Sequence, residues 1–164
     1  MRQDSHKAET IIEYGHHLVH TGLLAFASDA NAAVTSVVYG IFTGSLPLHL
    51  AMRVLLSTGG TLIITEGLTG TMGGSTINWA QYNRVDNPGT KKVKAALYKT
   101  PTGLSAGVAL PTINVPVNVE RVLPAAIRQG VEFNLAPNTN YTLTFTLPSG
   151  NANVDFEVYE EAAS

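Results

Sequence analysis

The sequence predicts an all-β domain, and three observations carry that prediction. Apolar and polar residues alternate over several segments, which is the period-two pattern of half-buried strands. Turn-forming residues recur roughly every 8–15 residues. Helical spacing is weak, because Gly15 and Gly22 interrupt the candidate segment at residues 10–24 and residues 124–128 could form only one turn. We therefore expect an antiparallel β-sandwich, jelly-roll-like, with about nine or ten short strands.

The C-terminal segment gives the clearest strand pattern. Residues 141–147 place Tyr141, Leu143 and Phe145 on one face, opposite threonines. Val154 and Phe156 continue an alternation after residues 148–151, whose Pro-Ser-Gly-Asn sequence is typical of a turn. We expect a hairpin here, with one apolar and one polar face.

The other predicted strands lie at residues 18–26, 33–42, 48–56, 61–65, 77–84, 93–98, 113–119 and 131–135. Their apolar faces, together with the C-terminal hairpin, should form a core between two sheets. The residues expected in that core are Leu143, Phe145, Phe156, Val158, Phe133, Leu50, Met52 and Val54.

The chain is expected to form one β-sandwich domain over residues 17–164, preceded by an N-terminal arm at 1–16. Its 164 residues suffice for a core without disulfides or metals. The polar N-terminus lacks the apolar stretch of a signal peptide, and no apolar run reaches the ~20 residues of a membrane span. We expect a protein made in the cytoplasm, with no membrane partner.

Composition points to assembly. Charged residues make up only 13% of the chain and hydrophobic residues 45%, so a part of the surface is expected to be covered by neighbours. Residues 16–26 are apolar and lack an alternating polar face. We predict a homo-oligomer with some contacts from the first 30 residues.

Two segments resemble ligand sites but lack residues that those sites require. His16 and His20 would share one face, with Glu13 nearby, but zinc needs further ligands at a recognisable spacing, and no second cluster exists. The glycine-rich residues 66–74 lack the Lys-Ser/Thr ending of a phosphate loop. We expect no metal or cofactor, and we expect residues 68–75 and 85–90 to be surface loops, the first tolerating a two-residue deletion.

A basic run with nearby aromatic residues allows three interpretations. Half of the ten Lys and Arg residues are Arg84, Lys91, Lys92, Lys94 and Lys99. With Trp79, Tyr82 and Tyr98, they could form a stacking surface for nucleic acid. The lysines could equally guard a strand edge or face an acidic partner. The net charge of −2 gives no overall attraction to nucleic acid, and we do not predict nucleic-acid binding.

Catalytic patterns are missing from the sequence. It contains no cysteine, no nucleophile elbow and no HExxH pair. Most acidic residues, including those at 155–161, are expected in solvated positions near the termini or in turns. We therefore expect no enzyme and assign no catalytic residues.

Several short pieces spread over most of the chain carry a family resemblance. They are EYGH at 13–16, AFASD at 25–29, EG at 66–67, GGSTI at 73–77, YNR at 82–84, GVEFNLAPNTNY at 130–141 and VYE at 158–160. Together they resemble small virion proteins of tailed bacteriophages, of the capsid decoration, head auxiliary or cement type. Residues 91–124 match no pattern of that family.

The resemblance implies a β-sandwich that binds the major capsid protein on the outside of the shell, as a symmetric oligomer with a trimer favoured. Two alternatives remain open. The chain could be a carbohydrate-binding or adaptor module of a phage fibre, tail or neck, using Trp79, Tyr82 and Tyr98 as a platform. It could also be a jelly-roll enzyme with a metal on His16 and His20.

Overall fold

A computed structural model describes residues 24–81, 93–117 and 133–160 of the chain. These residues contain nine β-strands and no helix, which confirms the all-β prediction. The strands are β1 (Leu24–Phe42), β2 (Leu48–Leu56), β3 (Gly60–Ile77), β4 (Ala80–Gln81), β5 (Ala96–Ser105), β6 (Val108–Ala109), β7 (Ile113–Val115), β8 (Phe133–Leu135) and β9 (Asn140–Glu160).

Four strands close into a barrel. β1 pairs with β5, β5 with β3, β3 with β9, and β9 with β1 again, all antiparallel. Such a ring leaves no free edge among its paired segments, which removes sites for unwanted strand pairing. The prediction of a two-sheet jelly-roll sandwich is therefore wrong: the described strands form one sheet that curls onto itself around its core.

The two longest strands, β1 and β9, pair with each other along most of their length. β9 pairs with β1 from Asn140 to Tyr159, while its other edge pairs first with β3 and then with β2. The 19 residues of β1 and 21 of β9 also correct the expectation of short strands throughout. Long strands suit a barrel, because each can serve two sets of neighbours as it coils.

The core lies inside the curl and follows the predicted alternation. Of the eight residues expected there, five are buried: Leu50, Leu143, Phe145, Phe156 and Val158. The other three, Met52, Val54 and Phe133, are half-buried and pack against it. The period-two pattern therefore identified the inward face, although not the architecture that encloses it.

The predicted turn at residues 148–151 lies within β9, so the C-terminal hairpin is wrong. The inward face changes from odd positions ending at Leu147 to even positions starting at Ala152. A change of face requires an extra residue, and the β1–β9 register shifts opposite this point. Asn151 fixes the irregularity: its backbone N–H donates to Ser57 Oγ (2.8 Å) and its Oδ1 accepts from Ala33 N (3.3 Å).

The glycine-rich segment expected as a surface loop is also part of a strand. Residues 69–77 of β3 pair with β5, with register shifts on either side of Gly73. Many of these residues are exposed, as expected, but their backbone is hydrogen-bonded. A two-residue deletion would shift this pairing, so the expected tolerance does not follow. The second expected loop, 85–90, lies outside the described residues.

Gly70 should be intolerant of a side chain. Its φ is +109°, and a Cβ there would clash with the carbonyl oxygen of Gly103 on β5. We expect Gly70→Ala to lower the free energy of unfolding by about 1–3 kcal/mol. Gly67→Ala is the matched control, because Gly67 also has a positive φ (+68°) but no atom within 4 Å of the place that a Cβ would occupy. Equal losses in urea unfolding of the two variants would show that the close approach of β3 and β5 costs nothing.

Candidate functional site

A polar cluster of Asp29, Asn31, Tyr39 and Lys99 lies between β1 and β5. Three of its members belong to β1, which is irregular between Asn31 and Ser36 and has Ala33 at φ +53°. This irregularity bends the strand, so that Asn31 and Tyr39 come within hydrogen-bond distance although eight residues separate them. Lys99 is the register partner of Tyr39 on β5.

One carboxylate oxygen organises the cluster. Asp29 Oδ2 lies 2.8 Å from Lys99 Nζ and accepts hydrogen bonds from Tyr39 OH (2.8 Å) and Asn31 Nδ2 (2.9 Å). Asn31 Nδ2 also contacts Tyr39 OH at 2.9 Å and donates to the carbonyl oxygen of Ala152 (3.2 Å). The cluster therefore joins β1, β5 and β9.

The contacts set the charge states of two groups. Burial raises the pKa of the Asp29 carboxyl. Hydrogen bonds from Lys99, Tyr39 and Asn31 and the charge of Lys99 together outweigh that effect, so the net pKa lies below its ordinary value. Burial, followed by the bond to Asp29 and its charge, raises the pKa of the Tyr39 hydroxyl well above its usual 10.0. At neutral pH the cluster thus holds a carboxylate and a neutral phenol, and its geometry stabilises the meeting of three strands.

Acid should weaken the fold through Asp29. A folded-state pKa below the unfolded value of 3.8 means that the ion contributes stability above that value and loses the contribution as pH falls through the lower, folded pKa. We expect the free energy of unfolding to begin falling below about pH 5. In Asp29→Asn this acid dependence should be smaller, which chemical unfolding across about pH 3–7 would measure. Equal acid dependence in both proteins would contradict this role.

The aromatic residues proposed as a stacking platform do not assemble into one among the described residues. Trp79 is buried, and its Nε1 donates to the carbonyl oxygen of Ala95 at 2.8 Å. Tyr98 is half-buried on β5, and Tyr82 lies outside the described residues. Trp79 is thus a core residue, and its ring has no free face to offer a sugar or a base.

The basic run does not form a patch in the part of the chain that the structure describes. Lys94 is exposed, whereas Lys99 is paired with Asp29. The other three members, Arg84, Lys91 and Lys92, lie outside the described residues. The described members therefore give no support to a nucleic-acid surface.

The histidine pair His16 and His20 also lies outside the described residues. Within those residues, no group of three or more His, Cys, Asp or Glu side chains could hold a metal. The one described histidine, His49, stacks on Tyr159 across β2 and β9, with ring centroids 4.3 Å apart and planes within 7°. This pair stabilises the outer face of the sheet.

The sequence prediction missed a buried carboxylate at the end of β9. Glu160 is expected in solvent from its place near the C-terminus, but it is only 1% exposed. Its Oε1 accepts hydrogen bonds from the backbone N–H groups of Lys94 (2.6 Å) and Ala95 (2.9 Å). A signal was present, because residue 160 continues the even-numbered inward face of Val154, Phe156 and Val158. Glu160 connects the end of β9 to the segment that leads into β5.

Comparison with known proteins adds no relative. No family model, curated protein or solved structure matches the chain. Within the described residues, there is also no helix of the length and apolarity needed to span a bilayer. The fold therefore defines only an all-β chain with a barrel core and additional strands.

Proposed function

We propose that this chain is a structural virion protein that decorates or cements the outer surface of a bacteriophage capsid by non-covalent binding. The proposal depends on the resemblance of its short sequence pieces to capsid decoration proteins. One structural observation supports it: residues within three of those pieces make side-chain contacts that join separate strands.

The piece at residues 130–141 illustrates this. Asn140 is buried at the start of β9, and its Nδ2 donates to the carbonyl oxygens of Leu68 (3.0 Å) and Gly70 (3.1 Å) on β3. The next residue, Tyr141, accepts a hydrogen bond from the backbone N–H of Ala136 at its hydroxyl (2.9 Å). These two side chains fix how the chain enters β9.

Two other pieces have equivalent roles. Asp29, in the piece at 25–29, organises the polar cluster between β1 and β5. Glu160, in the piece at 158–160, anchors the end of β9 to the backbone of Lys94 and Ala95. These side chains are used inside the fold, and a protein of the proposed kind would act through the surface of such a framework.

A cementing protein needs a stiff framework and binding energy, and it needs no reaction. The polar cluster and Glu160 are used within the fold, which leaves the exposed strands and connections for contact with a partner. Binding would be weak at one site and strong over a symmetric shell, since linked copies bind with higher avidity. The proposed homo-oligomer, with a trimer favoured by the resemblance, would add to this effect.

Cosedimentation with empty capsids tests the proposal. The capsids are shells assembled from the major capsid protein encoded in the same genome as this sequence. We expect the purified protein to pellet with them and to saturate at a fixed number of copies per shell. Free tails from the same phage serve as the control. Pelleting with tails but not with shells, or a gene located outside any phage genome, would contradict the proposal.

A further inference from the structure

The polar cluster between β1 and β5 contains the three groups that an amide bond between two side chains requires. They are an amine, a carboxamide and a carboxylate, and they belong to Lys99, Asn31 and Asp29. The neutral amine of a lysine is a nucleophile, and it can attack the carbonyl carbon of an amide. The reaction also needs a group that moves protons from the attacking nitrogen to the leaving nitrogen.

Asp29 lies where such a proton carrier is needed. Its Oδ2 is 2.8 Å from Lys99 Nζ and 2.9 Å from Asn31 Nδ2, so the two nitrogens are no more than 5.7 Å apart. One carboxylate oxygen is therefore within hydrogen-bond distance of both nitrogens. The lysine side chain is 33% exposed, and rotations along its flexible stem can bring Nζ to the side-chain carbonyl carbon of Asn31.

The carboxamide is held in one orientation. Asn31 is buried, and its Nδ2 also donates to the carbonyl oxygen of Ala152 at 3.2 Å. Since a carboxylate and a carbonyl only accept hydrogen bonds, it is the amide nitrogen that faces Asp29. Tyr39 OH lies 2.9 Å from the same nitrogen and 2.8 Å from Asp29 Oδ2. The leaving nitrogen is thus surrounded by protein groups, in a position from which water is largely excluded.

We propose that Lys99 and Asn31 become joined by an amide bond, with Asp29 as the proton carrier. The bond between Nζ of Lys99 and Cγ of Asn31 forms, and the bond between Cγ and Nδ2 breaks. The charged form of Nζ gives up two protons in all, and Nδ2 takes up both and leaves as ammonium. Asp29 passes these protons on and ends the reaction as the carboxylate that it was before. No electrons are exchanged, so the step needs no oxidant, metal or cofactor.

The bond would connect β1 and β5 covalently. It would close a loop between residues 31 and 99, which restricts the unfolded chain more than the folded one. The contacts described above are those of the cluster before the reaction, with Lys99 charged. Because the ion pair with Asp29 favours that charged form, we expect the bond to form slowly. This inference goes beyond the proposed function and does not depend on it.

Intact-mass spectrometry of the purified protein tests the inference. The protein is incubated for several days at about pH 9, where more of the lysine amine is neutral than at pH 7. The comparison uses Lys99→Arg, which keeps the positive charge but removes the amine, and Asp29→Ala, which removes the proton carrier. Lys94→Arg is the matched control, because Lys94 is an exposed lysine close by in the chain. Trypsin digestion then locates the bond, which should join residues 8–53 to residues 95–121.

We expect the native protein and Lys94→Arg to lose the mass of one ammonia molecule and to give the joined peptides. Lys99→Arg and Asp29→Ala should keep their full mass. A native protein of unchanged mass would overturn the inference, as would a loss of ammonia that also occurs in Lys99→Arg. A loss of one water molecule instead would place the bond on the Asp29 carboxyl and contradict the role of Asn31. Circular dichroism establishes that the variants are folded, and the joined peptides of the native protein decide the matter if one is not.

Discussion

Replacing Phe145 by alanine is expected to lower the free energy of unfolding by about 3–5 kcal/mol. Phe145 is fully buried in β9, at the point where β1 and β3 flank it. Its ring meets Tyr39 edge to face, with centroids 6.0 Å apart, and Tyr39 meets Phe156 in the same way at 5.0 Å. Truncation would leave a cavity beside these rings, and the closed sheet limits how far the surroundings can collapse into it.

Urea unfolding followed by tryptophan fluorescence measures this loss, because Trp79 is the one tryptophan and is buried. Thr146→Ala is the control, since Thr146 is the next residue of β9 and is exposed. The control should change stability by less than about 0.5 kcal/mol. A loss below about 1 kcal/mol for Phe145→Ala would mean that this ring is not in a packed core.

Glu160→Ala is expected to cost roughly 2–5 kcal/mol, although it removes a charge from the interior. The loss has a specific cause: the backbone N–H groups of Lys94, whose hydrogen bond is partly buried, and of Ala95, whose hydrogen bond is buried, would both lose their acceptor. A buried donor without a partner loses the hydrogen bond that it would make with water in the unfolded chain. The entry to β5 should loosen first, because this carboxylate holds it.

Two variants make the result specific. Asn153→Ala truncates a polar side chain at an exposed position of the same strand and should have a small effect. Glu160→Gln keeps an acceptor oxygen for the two N–H groups and should lose less stability than Glu160→Ala. If all three variants unfolded at the same urea concentration as the native protein, Glu160 would not anchor β9.

Alternation in the sequence located the inward face well, because burial on one side of a strand has a strong period of two. Leu143, Phe145, Phe156 and Val158 were identified in this way and are all buried. The pattern cannot tell which strands pair, since every amphipathic strand offers the same apolar face to any neighbour. The difference between two packed sheets and one curled sheet is therefore absent from local sequence.

Two predicted connections, the turn at Pro148–Asn151 and the loop that includes Gly70–Gly74, lie within strands in the structure, and their composition explains the error. Proline, glycine, serine and asparagine favour turns, but they also occur at irregular positions where a strand changes face or bends. The change from odd to even inward positions around Gly150 fits either case. Only the long-range pairing of β9 with β1 decides it, and at this point that pairing joins Val34 and Gly150, which are 116 positions apart.

The polar cluster could not be foreseen for a similar reason. Asp29 and Lys99 are 70 residues apart, and neither belongs to a recognisable motif. Asn31 and Tyr39 come together because β1 bends at its irregularity. The sequence gives no clear signal of this bend, since Ala33, which has a positive φ there, is not a residue type that favours such a conformation. Glu160 was accessible to prediction, because its position on the inward face follows from alternation alone.

Electron cryomicroscopy of shells saturated with the protein tests the proposed function most directly. We expect additional density on the outer surface of the capsid, repeated at symmetry-related positions and fitted by the β-barrel. Shells without added density at saturating protein, or density confined to the tail or to the inside of the shell, would contradict the proposed function.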